Sequence, residues 1–100
     1  MKAILTDKEI RQALDQDEDF KSEDCEYYSL LASSFITQKT GHDFASDPEV
    51  HPLAKECAML YVRQAYYGSD GYKKDHDFTL GINSLIEDLQ DIARDLHKEG

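Results

Sequence analysis

The sequence predicts an all-α fold, a small four-helix bundle-like domain with a central buried helix at about residues 52–67. Three observations predict it. The first is the stretch PLAKECAMLYVRQAYY. At about 100° per residue it sets Ala54, Ala58, Tyr61 and Ala65 on one stripe and Leu53, Cys57 and Leu60 on a second beside it, so more than half of the helix circumference is apolar. Two stripes imply two neighbouring helices. The small alanines admit one of them closely, and Lys55, Glu56 and Arg63 share the remaining, wetter face with Met59. The second observation is a continuous stripe near the C-terminus, Ile82, Leu85, Ile86, Leu89, Ile92, Ala93 and Leu96. The third is that no stretch alternates with a period of two and no segment repeats, which leaves strands without a signal. A chain of 100 residues makes a single domain with one modest core.

The first helix starts at Thr6, where T-D-K-E places Glu9 in a capping box and sets Asp7 and Glu9 at the favourable end of the helix dipole. Ile10, Ala13 and Leu14 make its short apolar face, and it runs to about Leu14 or Asp15. The following DQDED is a turn, because its carboxylates repel one another in any compact element. A second helix begins between Phe20 and Glu23 and runs towards Lys39, with Gly41 as its stop. Its buried side carries Tyr27 or Tyr28, Leu31 and Phe35, joined by Leu30, Ala32 and Ile36.

HDFASDPEVH, residues 42–51, is a loop anchored by Phe44 and Val50. Pro52 opens the central helix, where its missing N–H costs nothing, and Gly68 closes it. GSDGYKKDHD, residues 68–77, has no period and reads as a mobile loop. The last helix starts near residues 81–84, lies as a lid on the core and reaches about His97. The second, third and fourth helices supply most of the burial.

The formal net charge is −10, from 21 acidic against 11 basic residues. Such a surface repels nucleic-acid phosphates, and the densest basic pair, Lys73 and Lys74, is flanked by Asp70, Asp75 and Asp77, so without a local basic patch tight duplex binding is not expected. Cys25 and Cys57 both fall inside helical patterns and read as buried reduced thiols. No run approaches the roughly 18 apolar residues of a membrane span, and the early Ala3-Ile4-Leu5 run is too short for a signal peptide. The expectation is a chain made and used in the cytoplasm, or in something assembled there.

Several patterns are candidate sites. Against a calcium-loop template, residues 15–26 supply Asp15, Asp17, Asp19 and, at the twelfth position, Glu26. The sixth position is Phe20 where the sharp turn needs glycine, and the eighth is Ser22, so an acidic turn leading into a helix is favoured. His42, His51, His76 and His97 show no zinc-ligand spacing with one another or with the cysteines, and no metal or other cofactor is expected. A Cys-His nucleophile is disfavoured because apolar surroundings raise a thiol's pKa.

Glu87, Asp91 and Asp95 repeat at i, i+4, i+8 on the last helix. This row is either a solvated face or an acidic surface turned towards a channel or a basic partner. Tyr27, Tyr28, Tyr61 and Tyr66 are placed in the core or at its edge, whereas Tyr67 and Tyr72, beside the glycine-rich loop, are candidates for contacting another subunit.

The order of features carries a resemblance. A capped short helix, an acidic DxDED turn, a second helix ending in Thr40-Gly41, a loop, PLAKECAMLYVRQAYY, a polar loop and GINSLIEDL together resemble the phage head–tail connector family. These are small helical adaptor proteins of long-tailed phages and prophages. The resemblance covers residues 6–89, and beyond it the chain continues as a strongly patterned helix.

The resemblance implies a subunit that assembles with copies of itself as a ring of roughly a dozen on the portal protein. The ring extends the DNA channel and presents a surface to the next connector or tail protein. It implies no chemistry, double-stranded DNA that passes without sequence-specific binding, and a place at the head–tail interface of the virion after assembly in the bacterial host cytoplasm. By position, the 68–77 loop and the termini become ring or portal contacts, with Arg63, Tyr67, Tyr72, Lys73 and Lys74 as the candidate residues. Arg63 and the first-turn carboxylates are possible partners across subunits, and Glu87, Asp91 and Asp95 are candidates for the channel face.

Two other classes compete with the adaptor reading. A calcium-responsive helix-loop-helix module would use Asp15, Asp17, Asp19 and Glu26. An acidic DNA-mimic regulator would need carboxylates spaced like phosphates on one rigid face, for which the Glu87-Asp91-Asp95 row is short. An enzyme is the least favoured class, since no motif unites nucleophile, base and oxyanion donor.

Overall fold

The computed structural model describes residues 3–17, 19–68 and 79–98, the side chains of residues 67, 68, 79 and 98 excepted. Among the described residues there are four helices and no strand: α1 (Asp7–Ala13), α2 (Ser22–Thr40), α3 (Pro52–Gly68) and α4 (Thr79–Lys98). One 3₁₀ turn, Phe44–Ser46, lies in the connection between α2 and α3. The all-α, bundle-like expectation is met, with α3 packed against α1, α2 and α4 together.

The local signals act as the sequence predicts. Thr6 caps α1, its hydroxyl accepting from the Glu9 N–H at 3.2 Å while the Glu9 carboxylate accepts from the Thr6 N–H at 3.0 Å. Such a cap contributes about 1 kcal/mol. Gly41 stops α2 at φ +77°, a left-handed conformation that glycine adopts without Cβ strain, and its N–H donates to the Thr37 carbonyl. At the start of α3, the N–H of Leu53 donates to His51 Nδ1 at 3.1 Å, so the residue before Pro52 serves as the cap. Phe44 is fully buried and Val50 packs against the core, as expected of the two loop anchors.

α4 begins at Thr79, ahead of the predicted start, and Gly81 lies within it. A Cβ at Gly81 would stand 3.2 Å from Leu60 Cδ1, so this glycine marks a close approach of α4 to α3. Ile82, Ile86, Leu89 and Ala93 are buried and Leu85 and Ile92 half-buried, which makes α4 the expected lid. Leu96 departs from the predicted stripe at 52% exposed, lying beyond Ala93, the last buried residue of α4 among those described.

Three further corrections concern the core. Tyr27 is 60% exposed rather than at the core edge. The buried stripe of α2 is Cys25, Ser29, Ala32, Ser33 and Ile36, which keeps the predicted Ala32 and Ile36 but turns away from Leu31. Two serines lie in this stripe because the segment before α1 hydrogen-bonds to them: the Ser29 hydroxyl donates to the Leu5 carbonyl at 2.8 Å, and the Ile4 N–H donates to Ser33 Oγ at 3.0 Å. Ile4 and Leu5 are thereby buried, at 2% and 4% exposed.

The third correction is that α3 has three neighbours, not two. Its supposedly wet face receives α1: Lys55 pairs with Glu9 at 2.8 Å, Arg63 Nε donates to the Ala13 carbonyl at 2.9 Å, and Val62 is fully buried. Arg63 thus satisfies one of the carbonyls that a helix C-terminus leaves without an intrahelical partner.

Candidate functional site

The acidic turn after α1 is built as a hydrogen-bonded reversal. Asp15 takes φ +54°, the left-handed conformation that Asp tolerates better than most residues. Asp17 Oδ1 accepts from the Asp19 N–H at 2.9 Å, and Arg11 closes the turn by donating from Nε and Nη2 to the Phe20 carbonyl at 3.1 and 2.8 Å. Phe20, at the position where the calcium template needs glycine, instead packs edge-on against Tyr66, with ring centroids 6.1 Å apart.

The four candidate calcium ligands, Asp15, Asp17, Asp19 and Glu26, are not brought together. Asp17 lines a depression with Lys8, Arg11 and Gln16, while Glu26 lines another with Asp7 and Leu5. Among the described residues no group of three or more His, Cys, Asp or Glu side chains is placed to hold a metal ion.

The α4 carboxylates Glu87, Asp91 and Asp95 are all exposed, as their common helical face predicts. Asp91 pairs with Arg94 at 3.0 Å, a contact between two largely exposed side chains that contributes little to stability. The face therefore combines high negative charge with weak internal engagement, which suits repulsion of polyanions or attraction of a basic surface.

Of the candidate subunit contacts, Arg63 is half-buried and bonded to α1 through Nε. Glu9, one of the first-turn carboxylates, is paired within the chain to Lys55. Burial works to raise the Glu9 carboxyl, but the Lys55 hydrogen bond, the Thr6 N–H and the Lys55 charge outweigh it and hold the group below its ordinary range. Tyr72, Lys73, Lys74 and His76, with most of the 68–77 loop, lie outside the described residues, as does the side chain of Tyr67.

Both cysteines are buried and unpaired. Burial pushes the Cys57 thiol up to about 11, and raises that of Cys25 as well. Neither has the depressed pKa of a nucleophile or thiolate ligand.

The histidines hold an arrangement that sequence spacing conceals. His42 Nε2 lies 3.0 Å from both Asp47 carboxylate oxygens, and His42 Nδ1 lies 3.0 Å from His97 Nε2. The three groups form a line with His42 in the middle rather than a set converging on one point. They stand beside an open groove of about 620 Å³ between the ends of α2 and α4, lined by Lys39, Thr40, Gln90, Arg94, Asp95 and His97 among others. Across this groove Gln90 Nε2 donates to the Lys39 carbonyl at 2.9 Å. The only signal available beforehand was that His42 follows the α2 stop and His97 follows the last apolar stripe.

The fold and these surfaces define a small all-α domain with a capped core, an acidic outer helix and no helix long and apolar enough to cross a membrane among its described residues. Comparison with protein-family models, with curated proteins and with solved structures gives no match.

Proposed function

We propose that the chain is a structural head–tail connector subunit of a long-tailed phage or prophage. It assembles as a ring of roughly a dozen copies on the portal protein, lengthens the DNA channel and offers a docking surface to the next connector or tail protein. Its work is mechanical rather than catalytic, and its place is the head–tail interface of the virion, reached after assembly in the host cytoplasm. The single observation that carries the proposal is the order of features along residues 6–89, which follows the connector pattern from the capped first helix to GINSLIEDL.

The geometry is compatible with that work. Among the described residues every buried side-chain polar atom has a partner within the chain, and the exposed row Glu87, Asp91 and Asp95 supplies a negatively charged face along which a duplex slides without sticking. The test is co-sedimentation with the portal protein encoded in the same gene cluster, at low and moderate salt. Pelleting that depends on the portal supports the proposal. Retention in the supernatant at high concentration and low salt, while a known neighbour of the portal pellets, overturns it.

A further inference from the structure

We propose that Asp47, His42 and His97 form a proton-operated latch, which holds the last turn of α4 against the α2–α3 connection while the two rings share at most one added proton and releases it when both are charged. The inner ring is fixed before the outer one arrives. His42 is 15% exposed, its backbone N–H and carbonyl both lie 3.3 Å from Thr40 Oγ1, and its ring stands edge-on to Phe44 with centroids 4.6 Å apart. A carboxylate only accepts, so His42 Nε2 carries the hydrogen that Asp47 receives. In the neutral ring, Nδ1 then presents its lone pair to His97.

At the 3.0 Å between His42 Nδ1 and His97 Nε2, one hydrogen fits and two do not. With both rings neutral, His97 Nε2–H donates to His42 Nδ1. An added proton makes His42 a cation between the Asp47 carboxylate and the His97 Nε2 lone pair, the hydrogen of His97 moving to its own Nδ1. That contact is charge-assisted and tighter. A second proton puts an N–H on each facing nitrogen, and the rings part.

The charged groups beside the pair are Lys39 of α2 and Arg94 and Asp95 of α4, which line the same groove as His97. Asp43 in the connection is engaged by the Ala45 N–H and the Ser46 hydroxyl. Little else holds the last turn, since Leu96 beside His97 is largely exposed and the nearest buried anchor on α4 is Ala93.

The test is an NMR titration of the full chain from about pH 8 to about pH 5, the window in which imidazoles change charge. The helical ¹³Cα shifts of residues 94–97 are expected to persist through the first ring protonation and to be lost with the second, while those of residues 86–89 stay constant. In His97→Gln the last turn loses this pH dependence, and constant shifts at residues 86–89 verify that the variant is folded. Loss of helix with the first proton, or a wild-type profile equal to that of His97→Gln, overturns the proposal. So does a neutral-pH ¹⁵N spectrum placing the His42 hydrogen on Nδ1.

Discussion

Replacing Ser29 or Ser33 by alanine tests how the segment before α1 is held. Ser33→Ala leaves the buried Ile4 N–H without its acceptor, and Ser29→Ala leaves the Leu5 carbonyl without its donor. A stranded buried polar group costs about 1–3 kcal/mol, and alanine's better helix propensity returns roughly 0.5 kcal/mol. The cost has a ceiling, because the segment can leave its site. Burying Ile4 and Leu5 contributes about 1.5–3 kcal/mol each, whereas fixing the backbone of residues 3–5 costs about 1–2 kcal/mol per residue, so these two terms nearly cancel. The two hydrogen bonds, at about 0.5–1.5 kcal/mol each, then set most of the docking free energy, on the order of 1–3 kcal/mol.

Each single variant is therefore expected to lose about 1–2 kcal/mol in urea unfolding, roughly 4–15 °C in Tm for a domain of this size. The double variant loses little more than the worse single, because a released segment has no second bond to lose. Ser34→Ala, on the exposed side of α2, serves as the control and stays within about 0.5 kcal/mol of the parent. Strictly additive losses, or singles no different from Ser34→Ala, refute the reasoning.

Three further outcomes follow from the same geometry. Gly81→Ala is expected to stabilise by up to about 0.5 kcal/mol, since the half-buried Leu60 methyl can yield the few tenths of an ångström that the new Cβ needs, while Gly81→Val lowers the thermal midpoint. Lys55→Met removes the partner of a carboxyl whose folded-state pKa is depressed, so its contribution exists above the unfolded-state value and fades as pH falls through the folded-state value. Chemical denaturation should show a loss of up to about 1 kcal/mol at neutral pH that shrinks as the pH falls below the ordinary glutamate range, screened further by salt. The thiols, both raised by burial, should resist an aromatic disulfide reagent in the native state and react only with unfolding. Because their folded-state pKa values lie above the unfolded ones, stability should fall as pH rises beyond about 9 towards the Cys57 value of about 11.

Much of the fold was legible because some residues have narrow local roles. Thr6 with Glu9, Gly41 and Pro52 mark helix ends through backbone chemistry that needs no tertiary partner, and the α4 stripe is periodic enough to name its own buried face. The buried face of α2 was legible at Cys25, Ala32 and Ile36 but not at Ser29 and Ser33, whose burial depends on backbone groups 24 and 29 residues away. For the same reason Ile4 and Leu5, outside any helix, gave no periodic signal. Lys55 and Arg63 looked solvated until α1 arrived with Glu9 and the Ala13 carbonyl to meet them. The acidic row on α4 could be read directly, since exposure and spacing both follow from helix geometry. His42 and His97 are 55 residues apart, and only the packing of α4 across the end of α2 brings them to one hydrogen bond.

The most direct test of the connector proposal is electron microscopy of the portal protein mixed with an excess of this chain. The account predicts an added ring of helical density, concentric with the channel, on the outer end of the portal, with the Glu87, Asp91 and Asp95 face turned towards the lumen. A portal image unchanged at saturating concentration, under conditions where a neighbouring tail component does add density, would contradict it.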